Sequence, residues 1–353
     1  MKKFITSLIL SLVFSLTLQA QNQLENFLKE GIAYHDQGLY DQAIASYQKM
    51  LELDPHSSLG HYEISLSYMY KGDYDLAIQH SDQVIEAGGR LLVPAIVVKA
   101  SSMSNLNQVD DAIALLEDAV EQWNADVMVY YNLAICYWKQ SNFEKAEAAL
   151  IAGIYENPMH ASSHYMLATL QADRGNRTEA MLAGYFFLLL EPNTARTVKM
   201  EQLVRNFYTA GVTLTEESSK KKKNINIALP ASRMESNFST VELGLSLMAA
   251  NTYAEKKGKN TDVFCSNTTT FFGLVSEVPK PKEEVAGDFT MNFYVPFFSE
   301  LYETQQTDVF CNYIGQTKPG GNRRWLDKNK EKVKDFEQWV VAKSRKLIGI
   351  KEE

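Results

Sequence analysis

A 34-residue repeat constrains this 353-residue chain more than any other feature. Gly38-Leu39-Tyr40-Asp41-Gln42-Ala43-Ile44 returns 34 positions later as Gly72-Asp73-Tyr74-Asp75-Leu76-Ala77-Ile78. One extra residue intervenes before Asn107-Gln108-Val109-Asp110-Asp111-Ala112-Ile113. The segment then recurs as Ser141-Asn142-Phe143-Glu144-Lys145-Ala146-Glu147 and as Gly175-Asn176-Arg177-Thr178-Glu179-Ala180-Met181. The same frame aligns small residues at Gly31, Ser65, Ala100, Ala134 and Ala168, while Pro55, Pro158 and Pro192 share a repeat-end position. The small residues let two antiparallel helices approach closely. Gly38 and Gly72 permit a positive φ where one helix turns into the next, and the prolines end the second helix. One such pair cannot bury its apolar face alone, so neighbouring pairs must stack.

These segments resemble the tetratricopeptide repeat family. Five repeats begin near Leu24, Ser58, Val93, Val127 and Ala161 and run to about Thr194. Phe27, His61, Ile96, Tyr130 and His164 stand where the family's first large aromatic is Trp, and Gly89 and Asn124 replace the terminal proline. The resemblance implies an all-α fold, a right-handed α-solenoid of five helix–turn–helix repeats. It also implies that first helices line a concave groove. Its candidate partner-binding residues are Tyr62, Leu66, Met69, Tyr70, Tyr131, Ile135, Trp138 and Tyr165. Such aromatics and methionines concentrate binding energy at surfaces, and the implied partner is a protein or peptide. Lys139 is the only basic residue at the inward positions, so the Lys/Arg/Asn clamp that some members use on a peptide carboxylate is not expected. The competing readings are packing on neighbouring repeats and packing on the chain's own tail.

The N-terminus reads as a segment outside the fold. Met1-Lys2-Lys3 precedes an uncharged apolar stretch from Phe4 to Leu18, then Gln19-Ala20 and a polar run. This is the layout of a secretory signal over 1–20, cleaved after Ala20. The stretch falls short of the roughly 20 apolar residues a spanning helix needs, though a retained anchor is the alternative. The expectation is an exported protein, periplasmic in a Gram-negative cell or secreted, with no membrane span in the mature chain.

Charge excludes one class of partner. Residues 21–194 hold 23 acidic residues against 9 basic ones, a net −14 within an overall −8. Nucleic-acid binding is disfavoured. The field suits a basic partner, beside the plainer reading of a solvated acidic face.

The solenoid and its capping helix are expected over 21–210, a linker over 211–224, and a mainly helical domain over 225–353. Lys220 to Lys223 in the linker offer a peripheral contact to anionic lipid, beside the reading of a solvated run. Helices are expected over Val241–Tyr253, Asp288–Tyr302 and Lys330–Leu347, with Pro296 starting a kink or turn. Thr261-Asp262-Val263-Phe264-Cys265 echoes in Thr307-Asp308-Val309-Phe310-Cys311. Cys265 and Cys311 are therefore a candidate disulfide, set against coincidence with two buried thiols.

Catalysis has little to stand on. All six histidines lie in the repeats, so the tail lacks Ser–His and Cys–His pairs. His160 and His164 have the spacing of a helical metal pair, but His164 sits at a packing position. No HExxH, GxSxG, phosphate loop or dinucleotide fingerprint occurs, and no metal or cofactor is implied. A carboxylate hydrolase using Glu242, Glu277 or Asp288 is the remaining enzymatic reading. The reading favoured here is an exported adaptor. Its rivals are an envelope enzyme with a catalytic tail and a structural subunit of an outer-membrane or secretion assembly.

Overall fold

The computed structural model describes residues 21–123, 125–217, 222–227, 233, 235–254, 263–279, 288–316 and 321–347. The expected signal, Lys220 and Lys221, and Thr261-Asp262 of the first echo lie outside the described residues. The chain divides into two compact units, one up to Ala149 and one from Leu150 onward.

All five repeats share one turn. A residue in it takes a positive φ: Gly38 at 73°, Gly72 at 94°, Asn107 at 64°, Ser141 at 59° and Gly175 at 76°. The next amide donates to the carbonyl five residues back, Leu39 to Tyr34, Asp73 to Tyr68, Gln108 to Met103, Asn142 to Tyr137 and Asn176 to Gln171. That bond closes the first helix while its donor starts the second. Asn107 and Ser141 hold a conformation that glycine adopts without steric cost.

The first unit holds α1 (21–36), α2 (Tyr40–Leu53), α3 (Ser58–Lys71), α4 (Tyr74–Ala87), α5 (Leu92–Asn105), α6 (Val109–Gln122) and α7 (Val127–Lys139). Helix α8 (Phe143–Glu156) crosses the boundary. First helices pack side by side, α3 against α5 and α5 against α7, with α4 and α6 wedged between consecutive repeats. Ala43, Tyr47, Met50 and Ile64 form a buried cluster under Phe27 and Leu28. A Cβ built on Gly31 would lie 2.3 Å from the Tyr47 ring, which is why this repeat needs a residue without one.

The second unit begins with α9 (Ala161–Asp173), α10 (Arg177–Leu190) and α11 (Ala195–Phe207). Strands β1 (Val212–Glu217) and β2 (Lys222–Ile227) pair antiparallel, Val212 opposite Ile227. A hairpin thus occupies the stretch expected as a linker, and it departs from an all-α fold that holds elsewhere among the described residues. Its cause is legible: Val212, Thr213 and Thr215 are β-branched, and Asn224-Ile225-Asn226-Ile227 alternates with period two.

The tail adds α12 (Ser239–Ala254), α13 (Phe264–Ser276), a π-helical turn over Thr290–Tyr294, α14 (Val295–Glu303), α15 (Thr307–Ile314), α16 (Gly321–Lys328) and α17 (Lys330–Leu347). The π turn sits just before Pro296. A proline donates no hydrogen bond and crowds the preceding turn, and the wider turn accommodates both effects. Helices α14 and α15 meet through the repeat's own turn, with Gln305 at φ 57° and the Gln306 amide on the Leu301 carbonyl.

This unit is built around α10, which is buried on every side over Ala180–Leu189. Tyr185, Phe186 and Phe187 meet Phe271, Phe272, Phe297, Phe298 and Phe310 of the tail, or Tyr165 and His164 of α9. The uninterrupted apolar run Met181–Leu190 is the sequence cause, because a helix apolar all round must be enclosed.

Candidate functional site

In the first unit, the inward faces of α3, α5 and α7 enclose a cleft of about 440 Å³. Met69, Tyr70 and Tyr74 form one wall, Ser101, Ser104 and Asn105 the floor, and Asn132, Ile135, Cys136 and Lys139 the other wall. Helical geometry explains this convergence. Residues 132, 135, 136 and 139 are spaced i, i+3, i+4, i+7, and residues 101, 104 and 105 repeat the pattern, so each set shares a face.

The cleft mixes apolar and polar side chains, with Tyr70, Asn105 and Lys139 exposed and Ser104, Asn132 and Cys136 buried. Tyr70 is 58% exposed. Its ring lies parallel to Tyr40 at 6.0 Å, and His35 meets both edge-on at 5.3 Å. The Ser101 hydroxyl donates to Asn132 Oδ1 at 2.7 Å, and Asn132 Nδ2 donates to the Met128 carbonyl at 2.8 Å. An amide can make four hydrogen bonds, so Asn132 keeps a donor and an acceptor position beyond these two. Lys139 Nζ donates to the Ser104 carbonyl at 2.8 Å, which ties α7 to the end of α5. Burial pushes the Cys136 thiol up, partly offset by the Ser104 hydroxyl beside it. Cys136 is 1% exposed and packs in the wall, where burial disfavours its thiolate.

Met69, Tyr70 and Ile135 of the expected groove line this cleft. Tyr62 and Leu66 lie further back on α3, both half-buried, and Tyr131 is half-buried one turn before Ile135. Burial, then the Glu63 charge, raises the Tyr62 phenol. Trp138 packs edge-on against Phe143 at 6.3 Å and is outside the lining. Tyr165 belongs to the second unit, edge-on to Phe187 at 5.0 Å with the Arg196 guanidinium over its ring. Tyr74 and Asn132 were not among the expected groove residues. The face spacing through Ile135 and Lys139 is a signal that finds Asn132.

Family models for the tetratricopeptide repeat match residues 28–57 and 106–173. The chain carries tetratricopeptide repeats. Repeats of this kind support a protein-interaction scaffold, and their fold is typical of non-enzymatic scaffolds. Among curated proteins, the BBSome complex member BBS4 homolog of Drosophila melanogaster is 20% identical over 157 residues, 44% of this chain and 32% of that one. The chain thus spans about a third of that relative's length. Among solved structures, a thermophilic tetratricopeptide-repeat protein of Thermus thermophilus is 17% identical. It covers 52% of this chain and 99% of its own, with a TM-score of 0.47. Pseudomonas aeruginosa pilF is 16% identical, covers 54% of this chain and 90% of its own, and has a TM-score of 0.43.

The acids considered for catalysis hold structural positions. Glu242 Oε1 accepts from the Thr178 amide at 3.1 Å and hydroxyl at 2.6 Å, while Oε2 accepts from Arg177 at 2.9 Å. Arg233 bridges Glu242 and Glu179. Burial alone would raise the Glu242 carboxyl, but Arg177, Thr178 and Arg233 bring it below the usual range. That is the wrong direction for a general acid. Asp288 caps the helical start, accepting from the Met291 amide at 3.0 Å and from Asn237 at 3.1 Å. Glu277 is exposed after α13. A depression of about 400 Å³ at the α14–α15 turn is lined by Thr269, Tyr302, Glu303, Gln305, Thr307 and Asp308, with both carboxylates exposed to solvent.

His160 and His164 have separate partners. His160 Nδ1 meets the Ser163 hydroxyl at 2.8 Å, whereas His164 spans the Tyr294 hydroxyl at 2.6 Å and the Pro158 carbonyl at 2.8 Å. Among the described residues, no three His, Cys, Asp or Glu side chains gather into a metal-holding group. No described helix is long and apolar enough to cross a membrane.

Proposed function

We propose that the chain is an adaptor whose first unit holds an extended peptide segment of a protein partner in the α3–α5–α7 cleft. One observation carries the reading: three consecutive first helices turn apolar side chains and amide-like polar groups into the same hollow. Met69, Tyr70, Tyr74 and Ile135 offer contact to an apolar side chain. Asn132 and Asn105 offer donors and acceptors that match a peptide backbone. Apolar side chains beside placed polar groups are the combination by which ligand clefts bind and orient. The excess acidic charge over 21–194 favours a basic partner by steering its approach. The basic and then apolar N-terminus supports an exported setting for this adaptor.

A photo-crosslinking side chain at Asn105, inside the cleft, tests the proposal against one at Glu121, exposed on α6. In cells, the Asn105 probe is expected to give a partner adduct that Tyr70→Ala removes, and the Glu121 probe none. Equal adducts from both positions, or an Asn105 adduct indifferent to Tyr70→Ala, would overturn it.

A further inference from the structure

The duplicated pentapeptide ends twice in Phe-Cys, and neither copy contributes to the cleft. The described parts of the copies open α13 and α15. Their phenylalanines flank a single ring, Tyr185, whose centroid lies 6.1 Å from Phe264 and 5.8 Å from Phe310. This shared docking brings the following cysteines together. Cys311 Sγ lies 4.0 Å from the Cys265 carbonyl oxygen, which places the two residues side by side. Both carry thiols rather than a disulfide. Cys311 is 1% exposed while Cys265 is half-buried, so Cys265 is the more accessible residue of the pair.

We propose that Cys265 and Cys311 form a reversible dithiol site, oxidised to a disulfide that fastens α13 to α15. The oxidant is an external disulfide, either a small-molecule one or that of a thiol–disulfide oxidoreductase. Cys265 loses its proton to solvent, and its thiolate attacks one sulfur of that disulfide. The first half leaves as a thiolate and takes up a proton, while the second stays bonded to Cys265. The Cys311 thiol then loses its proton and attacks Cys265 Sγ, expelling the second half as a thiol. Two cysteine thiols are oxidised, and one external disulfide is reduced to two thiols. The order of attack follows from the surroundings. The neighbouring Cys265 side chain and burial push the Cys311 thiol well up, which disfavours its thiolate until the mixed disulfide has formed beside it. The new bond closes a long loop, so it stabilises the tail mainly by restricting its unfolded state.

The test uses the full native chain equilibrated with glutathione disulfide, quenched in acid, then denatured and alkylated. Cys136 serves as the control, because it is 1% exposed and lies in the other unit. Peptide mapping is expected to find a Cys265–Cys311 bond with Cys136 alone alkylated. The melting temperature of the second unit should rise by about 5–10 °C on oxidation. Cys265→Ser, at a half-buried position, should fold and lose that rise. Alkylation of all three cysteines after equilibration, or a lasting glutathione adduct on Cys265 beside an alkylatable Cys311, would overturn the proposal.

Discussion

Helices α4 and α10 hold the same place in their repeats and meet different surroundings. Helix α4 buries Ala77, Ser81 and Val84 along one stripe and keeps its other face toward solvent. Helix α10 is covered all round, by its own repeat and by the aromatic tail. The turns that introduce them are the same, with Gly72 and Gly175 both at positive φ. The lesson is that the repeat motif specifies a helical hairpin, and the outward residues of the second helix decide what covers it. Where they are polar that face stays in solvent, as in α4. Where they read Met-Leu-Ala-Gly-Tyr-Phe-Phe-Leu-Leu-Leu the hairpin becomes the centre of a new core.

The largest expected effect breaks the enclosed side of this comparison. Arg177→Ala leaves the Glu242 carboxylate, 3% exposed, short of its closest charge partner. The loss should be about 3–5 kcal/mol of stability, read as earlier urea unfolding of the second unit by tryptophan fluorescence at Trp325 and Trp339.

Acid should separate the units next. Burial holds the His164 imidazole down to about 3, so the folded state keeps it neutral. The unfolded chain takes up the proton first, near its ordinary value of about 6.5. Stability is therefore complete above that pH and falls as the pH drops toward 3, by on the order of 5 kcal/mol in the second unit. In the first unit burial, then His61, holds His80 down to about 4, so its window has the same sign and is narrower. His164→Phe should be less stable at neutral pH but lose less on acidification. A slope identical to the wild type would remove His164 from the account.

Two glycine substitutions sharpen the repeat itself. Gly31→Ala drives a Cβ into the fully buried Tyr47 ring and should cost about 1–3 kcal/mol. Gly38→Ala meets open space, and its cost of about 1 kcal/mol comes from its φ of 73° alone. Thermal melts of the two variants should rank in that order. The smallest effect on stability belongs to Tyr70→Ala, within about 0.5 kcal/mol because the ring is 58% exposed.

The repeats were legible because their signals are local. A turn residue and a small residue at fixed offsets, joined in three repeats by a terminal proline, name the hairpins without knowledge of the rest. Helix α17 was equally legible, its bounds Lys330–Leu347 matching an amphipathic pattern. The hairpin β1–β2 was obscured by the lysine run, which reads as solvated linker until the flanking alternation is weighed. Helix α13 escaped notice because Thr268, Thr269 and Thr270 interrupt its pattern, although each hydroxyl bonds back to a carbonyl four residues earlier. Of the cleft, Met69, Tyr70 and Ile135 follow from repeat position. Asn132 did not, because it is one residue off the inward register and reaches the cleft through helical face geometry. The Arg177–Glu242 contact joins residues 65 apart in sequence and has no local signal at all.

The most direct test is hydrogen exchange on the full chain with and without a peptide that it selects from a random displayed library. The account predicts slowed exchange concentrated in α3, α5 and α7, none in α10, and at least tenfold weaker binding by the Tyr70→Ala/Ile135→Ala variant at unchanged fold. Protection centred outside those three helices, or full affinity in the variant, would contradict it.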